Sequence, residues 1–235
     1  MPDSSNSIFF TVVIPTCNRP SLLARALQGI KEQSYPFFEV IIVNNGTRSE
    51  LINEYNSLEK QFDNKFIFYN FHNTQAQGFG PSIARNIGVS HAKGQYIAFC
   101  DDDDEWIDKN YLADVSHIIE SEYPQLVLSD QIGIQPNNNT KSDKLETWFP
   151  QIQQYCLSKS HQYNLLDAQN YFANTGAFPH LNISIYHKEW LINVGLFDKS
   201  LWYEEDLALF LTALQHNPKI VFNNKVVAKH YIPQK

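Results

Sequence analysis

Residues 97–106 read Ile-Ala-Phe-Cys-Asp-Asp-Asp-Asp-Glu-Trp, an apolar run that stops in four consecutive aspartates. Adjacent carboxylates repel one another, so packing gains little from Asp101, Asp102, Asp103 and Asp104. A divalent cation would relieve that repulsion and bridge to a phosphate. Open α/β sheets bind their ligands at such strand ends. The run therefore reads as metal-dependent chemistry on a phosphate-bearing substrate, with a solvated acidic turn as the competing reading.

A second acidic pair, Glu205-Asp206, follows Trp202-Tyr203. An attacking hydroxyl must lose its proton, and a carboxylate can take it. Acidic residues also open helices simply because they suit the dipole. Trp106, Trp148, Trp202 and Tyr203 offer flat faces for sugar rings, although core packing is the commoner use of any one of them. Trp202 and Tyr203, beside Glu205, are the candidates for contact with a substrate. Arg19, in Pro15-Thr-Cys-Asn-Arg-Pro20, has the reach and charge for a phosphate. Apart from His230, the histidines show no metal-ligand spacing and read mostly as surface residues. Cys17, Cys100 and Cys156 lie far apart, which suits free thiols in a reducing compartment.

Strands and helices alternate around these residues. Phe9–Ile14 is a β-forming run, and Pro20 opens a helix with Leu22, Leu23, Ala26, Leu27 and Ile30 on one face. Glu39–Val43 is a second strand ending in an Asn44-Asn45-Gly46 turn. Leu51, Ile52, Tyr55 and Leu58 mark another helix, and Phe66–Phe71 a third strand. Gly78-Phe-Gly80 breaks the chain before a helix from Pro81 to about His91. The break reads as a plain turn, with a mobile lid as the alternative. Gln95–Cys100 then carries the acidic run, Tyr111–Ser121 is helical, and Gln125–Ser129 is a fifth strand. This alternation predicts a mostly parallel sheet flanked by helices.

The pattern fails after about residue 131. Pro136–Lys144 reads as an exposed loop, and 145–180 has no clear period. Leu181–Tyr186 reads as a strand, His187–Val194 and Glu204–His216 as helices, and Ile220–Phe222 and Val226–Tyr231 as closing strands. One domain over 1–235 is expected, with a nucleotide-binding half (1–131) and an acceptor-side half (132–235). A net charge of −7 argues against nucleic acid as a partner. No run reaches the roughly 18–20 apolar residues of a membrane span. Residues 1–7 lack a signal-peptide core. The expectation is a cytoplasmic protein, with peripheral association at the inner membrane face left open.

Five motifs in order resemble family 2 inverting glycosyltransferases with the GT-A fold. They are Val12–Pro20, Glu39–Gly46, Ala84-Arg-Asn-Ile-Gly88, Phe99–Trp106, and Gly195-Leu-Phe-Asp198 followed by Glu205-Asp206. The resemblance implies a Rossmann-like sheet with a smaller C-terminal acceptor-side region. It implies transfer of a sugar from a nucleotide diphosphate donor, most plausibly a UDP-sugar, to a glycan or glycolipid acceptor. A surface polysaccharide or lipooligosaccharide is the expected product class, and Mn²⁺ or Mg²⁺ the expected cofactor.

By the same resemblance, the family's Asp-X-Asp signature maps onto Asp101, Asp102 and Asp103. Asp103 would ligate the metal, His230 would be a further ligand, and Asp101 would touch ribose or order the metal's water shell. Asp206 would be the base. Pro15, Thr16, Asn18 and Arg19 would lie along the nucleotide, and Arg85 would help hold it, while Asn86 organises the adjacent loop and Gly88 lets the helix pack closely. Asn45 stands where relatives carry an aspartate that reads uracil. Its amide oxygen can still accept from the imide, or the amide can flip and admit another base. A phosphatase with an aspartate nucleophile is disfavoured by Glu105 and by the late position of the strand. A nucleotidylyltransferase is disfavoured by the lack of glycines in Pro15–Pro20. A non-catalytic nucleotide- or glycan-binding module derived from a transferase remains the alternative.

Overall fold

A computed structural model describes residues 7–71, 78–134, 148–149, 151–160 and 163–232. The loop expected over Pro136–Lys144, the N-terminal residues before Ser7, His72 and His161 lie outside the described residues.

The first half follows the apolar runs closely. Strand β1 (Phe10–Thr16) leads to helix α1 (Pro20–Lys31), with Pro20 in the first turn, where its missing N–H costs nothing. Leu23, Ala26, Leu27 and Ile30 form its buried stripe. Next come β2 (Phe38–Asn44), a short 3₁₀ turn at Ser49–Leu51, α2 (Ile52–Glu59) and β3 (Phe66–Asn70). Helix α3 (Pro81–His91) precedes β4 (Tyr96–Phe99), whose end meets the four aspartates. A two-residue strand β5 (Glu105–Trp106), then α4 (Tyr111–Glu122) and β6 (Leu126–Ile134), complete this half. Every residue of β1 and β2 is buried, as befits central parallel strands covered on both faces.

The second half holds a hairpin of β7 (Cys156–Ser160) and β8 (Tyr163–Leu166), then α5 (Ala168–Thr175). Strand β9 (Ser184–His187), α6 (Lys188–Asn193), α7 (Glu205–Gln215) and β10 (Ile220–Tyr231) follow. The two closing strands expected at the C-terminus are one strand, carried through Asn223–Lys225 by a register shift between Phe222 and Val226.

The ten strands of the described residues join one sheet, ordered β3-β2-β1-β4-β9-β6-β10-β8-β7, with β5 pairing β10. It is parallel from β3 to β4 and between β6 and β10. The expected mostly parallel sheet is thus the N-terminal part, and the whole is mixed. The reason is β9, which returns from the second half and inserts antiparallel between β4 and β6. Helix α3 packs on β1 and β2, and α4 on β10. The strand order reverses between β1 and β4, because β1 connects outward to β2 while β4 lies on its other side. Such a switch point opens a crevice beyond the strands' C-terminal ends. The acidic run and the 17–20 turn both project there.

Candidate active site

Three local devices build that crevice. The first ties β1 to β2. Asn45 N–H donates to the Thr16 carbonyl (2.9 Å), and the Asn45 side chain then reaches the 78–80 turn. Its Nδ2 donates to the Gly80 carbonyl at 2.7 Å, and its Oδ1 accepts the Phe79 N–H at 2.8 Å. These two bonds fix the amide's orientation and pin the turn. Gly78 has φ +65°, and a Cβ there would fall 1.8 Å from the Asn45 carbonyl oxygen, so only glycine fits.

The second device is α3. Asn86 clamps the loop after α6 by donating Nδ2 to the Phe197 carbonyl (2.8 Å) and accepting the Phe197 N–H (3.1 Å). Ser82 bonds the Leu201 carbonyl. This loop delivers Trp202 and the start of α7. Arg85, on the same helix, is buried and divided between two carboxylates: Nη2 to Asp101 at 2.6 Å and Nη1 to Glu205 at 2.5 Å. The end of β4 is thereby fastened to the first turn of α7.

The third device is Asn182, wholly buried just before β9. Its Oδ1 accepts the Asp101 N–H (2.8 Å), its Nδ2 donates to Asp104, and its carbonyl accepts from the Trp106 indole (3.1 Å). It sets the path of the aspartates. Only the oddity of an asparagine inside the apolar run Leu181–Tyr186 marks it in the sequence.

The resulting cleft has a volume of about 360 Å³. Of the expected site residues, Pro15, Thr16, Arg19, Asn45, Arg85, Asp101, Asp102, Asp103, Trp202, Glu205 and His230 line it, joined by Cys17, Gly80 and Pro81. Three are absent from the lining. Asn18 adopts a left-handed conformation and accepts the Arg48 N–H at 2.8 Å. Tyr203 is 86% exposed beyond the rim. Asp206, partly buried in the first turn of α7, accepts the Leu207 N–H at 2.8 Å and forms no ion pair among the described residues. Trp106 is core, packed edge-on to Tyr111.

The four aspartates have four environments. Burial opposes charge on Asp101, but Arg85 outweighs it and holds the carboxyl below its ordinary range. Asp102 is pushed up to about 7 by burial, which Arg19 only partly offsets. Arg19 Nη2 lies 2.7 Å from Asp102 Oδ1, yet outside hydrogen-bond geometry, so neither Asp102 oxygen accepts a well-formed bond. Asp103, also raised by burial, is 30% exposed and meets Arg19 Nη1 at 2.7 Å, while Arg25 donates to its carbonyl. Asp104 is fully buried and accepts from Asn182, from the Tyr231 N–H (2.9 Å) and from His230 Nδ1 (3.0 Å). Burial works against protonation of His230, but the Asp104 bond outweighs it and raises the imidazole.

His180 is the residue that sequence reasoning passed over. Its ring lies 4.3 Å from that of His230, and both rings meet Trp148 edge-on. Its Nδ1 is buried without a hydrogen-bond partner, 3.9 Å from Asp104 Oδ2. Its Nε2 lies 3.8 Å from Asp101 Oδ2. Donor atoms of Asp104, His180 and His230 all fall within 4.8 Å of one another. An orphaned imidazole nitrogen beside a carboxylate and a second imidazole suits a divalent cation, so the residues present fit the cofactor implied by the resemblance.

The family model described as glycosyl transferase family 2 matches residues 11–194. Over 95 residues the chain is 32% identical to the GalNAc(5)-diNAcBac-PP-undecaprenol β-1,3-glucosyltransferase of Campylobacter jejuni, covering 40% of this chain and 29% of that protein. It is 29% identical over 100 residues to the putative teichuronic acid biosynthesis glycosyltransferase TuaG of Bacillus subtilis, covering 41% and 36%. Among solved structures, residues 1–349 of Staphylococcus aureus TarS in complex with UDP-GlcNAc superpose with a TM-score of 0.73 at 20% identity, over 97% of this chain and 60% of that one. The mannosyltransferase PcManGT of Pyrobaculum calidifontis, in complex with GDP-Man and Mn²⁺, gives 0.67 at 18%, over 100% and 60%. These structural likenesses establish a shared α/β fold. The chain spans less than two thirds of the length of each of these proteins.

Proposed function

The chain belongs to glycosyl transferase family 2, and from that premise we propose that it moves a sugar from a nucleotide diphosphate to a glycan hydroxyl, inverting the anomeric carbon. The observation that carries this reading is the cleft, where Arg19, Asp101–Asp103, Glu205 and His230 converge at the switch point beside Trp202.

Asp103 and His230 would hold a divalent cation, Mn²⁺ or Mg²⁺, which supplies charge stabilisation to the departing diphosphate in place of a general acid. Pro15, Thr16 and Asn45 form the wall for base and ribose. Asn45 keeps one amide hydrogen and one oxygen lone pair beyond its two bonds to the 78–80 turn, enough to pair with a uracil imide. Arg19 is half exposed on its aspartates and can turn to a phosphate. Arg85 is committed to Asp101 and Glu205, so its role is to hold the site together.

Asp206 is the base. Glu205 is tied to Arg85 at 2.5 Å, whereas Asp206 has no ion pair among the described residues and lies in the first turn of α7 next to the Trp202-Tyr203 segment. Trp202 and Tyr203 offer stacking faces to an acceptor sugar. A UDP-linked donor is favoured by the TarS complex, and a bacterial surface glycan or its lipid-linked precursor by the relatives' names. With a lipid-linked acceptor the enzyme would work at the inner face of a membrane, although no described helix is long and apolar enough to cross one.

The test is transfer and donor hydrolysis with UDP-sugars, with and without Mn²⁺. Asp103→Ala and Asp206→Asn should each lower turnover by about 10²–10⁴, and only Asp103→Ala should weaken metal-dependent nucleotide binding. Full activity in Asp206→Asn removes the base assignment. Nucleotide binding without turnover in the wild type would make the protein a binding module.

A further inference from the structure

We propose that Asp104, His180 and His230 form a divalent-cation site of one carboxylate and two imidazoles just behind the cleft lining, which His230 reaches, selective for Mn²⁺ over Mg²⁺. None of the sequence motifs gives His180 or Asp104 a role as a ligand. The proposal deepens the metal reading above and rests on it only through His230, the residue both share.

Distances come first. A cation about 2.1 Å from each donor holds pairs of donors about 3–4 Å apart. His230 Nδ1 and Asp104 Oδ2 are 3.0 Å apart, and the proton they share leaves to solvent when a cation takes its place, while His180 Nδ1 and Asp104 Oδ2 are 3.9 Å apart. The three donors lie within 4.8 Å of one another, close to the spacing that a shared cation requires.

The second observation is the orphaned nitrogen. An imidazole placed only for packing would be expected to satisfy a buried ring nitrogen, since leaving it bare costs about 1–3 kcal/mol. His180 Nδ1 has no such partner and faces the carboxylate across a gap too long for a hydrogen bond. A cation between them supplies what is missing.

The third is rigidity. Asp104 is gripped by Asn182 and the Tyr231 N–H, and the two imidazoles are braced against Trp148. Ligands fixed by outer partners in this way are the usual support of metal centres. Asp103, by contrast, is already met by the Arg19 guanidinium. The imidazole set is therefore the anchor in the nucleotide-free protein, and Asp103 becomes available once Arg19 turns to a diphosphate. Two nitrogen donors favour Mn²⁺ and later first-row metals, because Mg²⁺ prefers oxygen ligands.

The experiment uses the nucleotide-free full chain, stripped with EDTA and titrated with MnCl₂ while free Mn²⁺ is followed by electron paramagnetic resonance. A single saturable site is expected, about tenfold weaker or worse in His180→Asn and His230→Asn, and changed less than about threefold in Asp103→Asn. Mg²⁺ should compete only at large excess. Pulsed resonance on the wild type should show ¹⁴N couplings to the bound Mn²⁺, a readout that needs no variant to fold. Bound Mn²⁺ without nitrogen coupling, or wild-type affinity in a folded His180→Asn, overturns the proposal, as does the absence of a saturable site. Turnover with UDP-sugars alongside either result leaves the transferase reading standing. Nitrogen-coupled Mn²⁺ without turnover sinks that reading and keeps this one.

Discussion

At the residue scale, one motif has been divided into four jobs. A run of four aspartates in sequence looks like one feature, yet Asp103 is the most exposed of the four at 30%. Asp101 is locked to Arg85, Asp104 is a buried hub, and Asp102 is buried beside Arg19 with poor bonds. Asp102 has the clearest thermodynamic consequence. Its folded pKa of about 7 lies above the unfolded value near 3.9. An acid raised in this way binds a proton in the native state that the unfolded chain lacks, so stability falls as pH rises through that window. Asp102→Asn removes the titration. In metal-free protein its stability relative to wild type should rise by about 2–3 kcal/mol between pH 5 and pH 8. Urea denaturation in EDTA at both pH values measures this, and a difference independent of pH would contradict the assignment.

At the element scale, legibility followed the source of each element's stability. Helices α1 and α3 are announced by a proline in the first turn, α1 also by an apolar stripe, β1 and β2 by buried β-branched runs, and β4 by the apolar run Tyr96–Phe99. The hairpin β7–β8 and the two-residue β5 carry no such local signal, because pairing with distant β10 fixes β5 and β8, whereas α5 is punctuated by its Asp167 N-cap and Gly176 but lies in a stretch with no clear apolar period. Strand β10 reads as two because Asn223–Lys225 interrupts the apolar pattern, and the register shift that joins the halves is a tertiary event. The site shows the same divide. The aspartates and Arg85 sit in compact motifs, whereas His180 acquires meaning only when β9 brings it to Asp104. Gly88 was legible, and its role can be weighed. A Cβ there would lie 2.3 Å from Cγ1 of the fully buried Val13. Gly→Ala in a helix gains about 0.5–1 kcal/mol, but overpacking a rigid core costs about 1–3 kcal/mol. Gly88→Ala should therefore lose about 1–2 kcal/mol in urea denaturation. A gain in stability would mean that α3 does not press on β1 as closely as described.

At the scale of the whole molecule, the cleft is the seam between two kinds of sheet. Arg19 and Asn45 come from the parallel side, while Glu205 and His230 come from elements that follow the inserted β9. A donor seated across the seam contacts both, so its binding energy should resist global unfolding and not merely order one loop. Ligand at about one hundred times its Kd adds about 2.7 kcal/mol, which for a chain of this size raises Tm by about 5–10 °C. Among UDP-, GDP-, dTDP- and CMP-linked sugars, a UDP compound with Mn²⁺ should give the largest shift, because Asn45 can still present an acceptor to a uracil imide. The shift should collapse in EDTA, since with no cation the diphosphate faces the acidic run with Arg19 as its main counter-charge. A full-sized shift in EDTA would move the diphosphate away from the aspartates, and a larger shift with a GDP compound would mean that the Asn45 amide donates to the base instead of accepting from it.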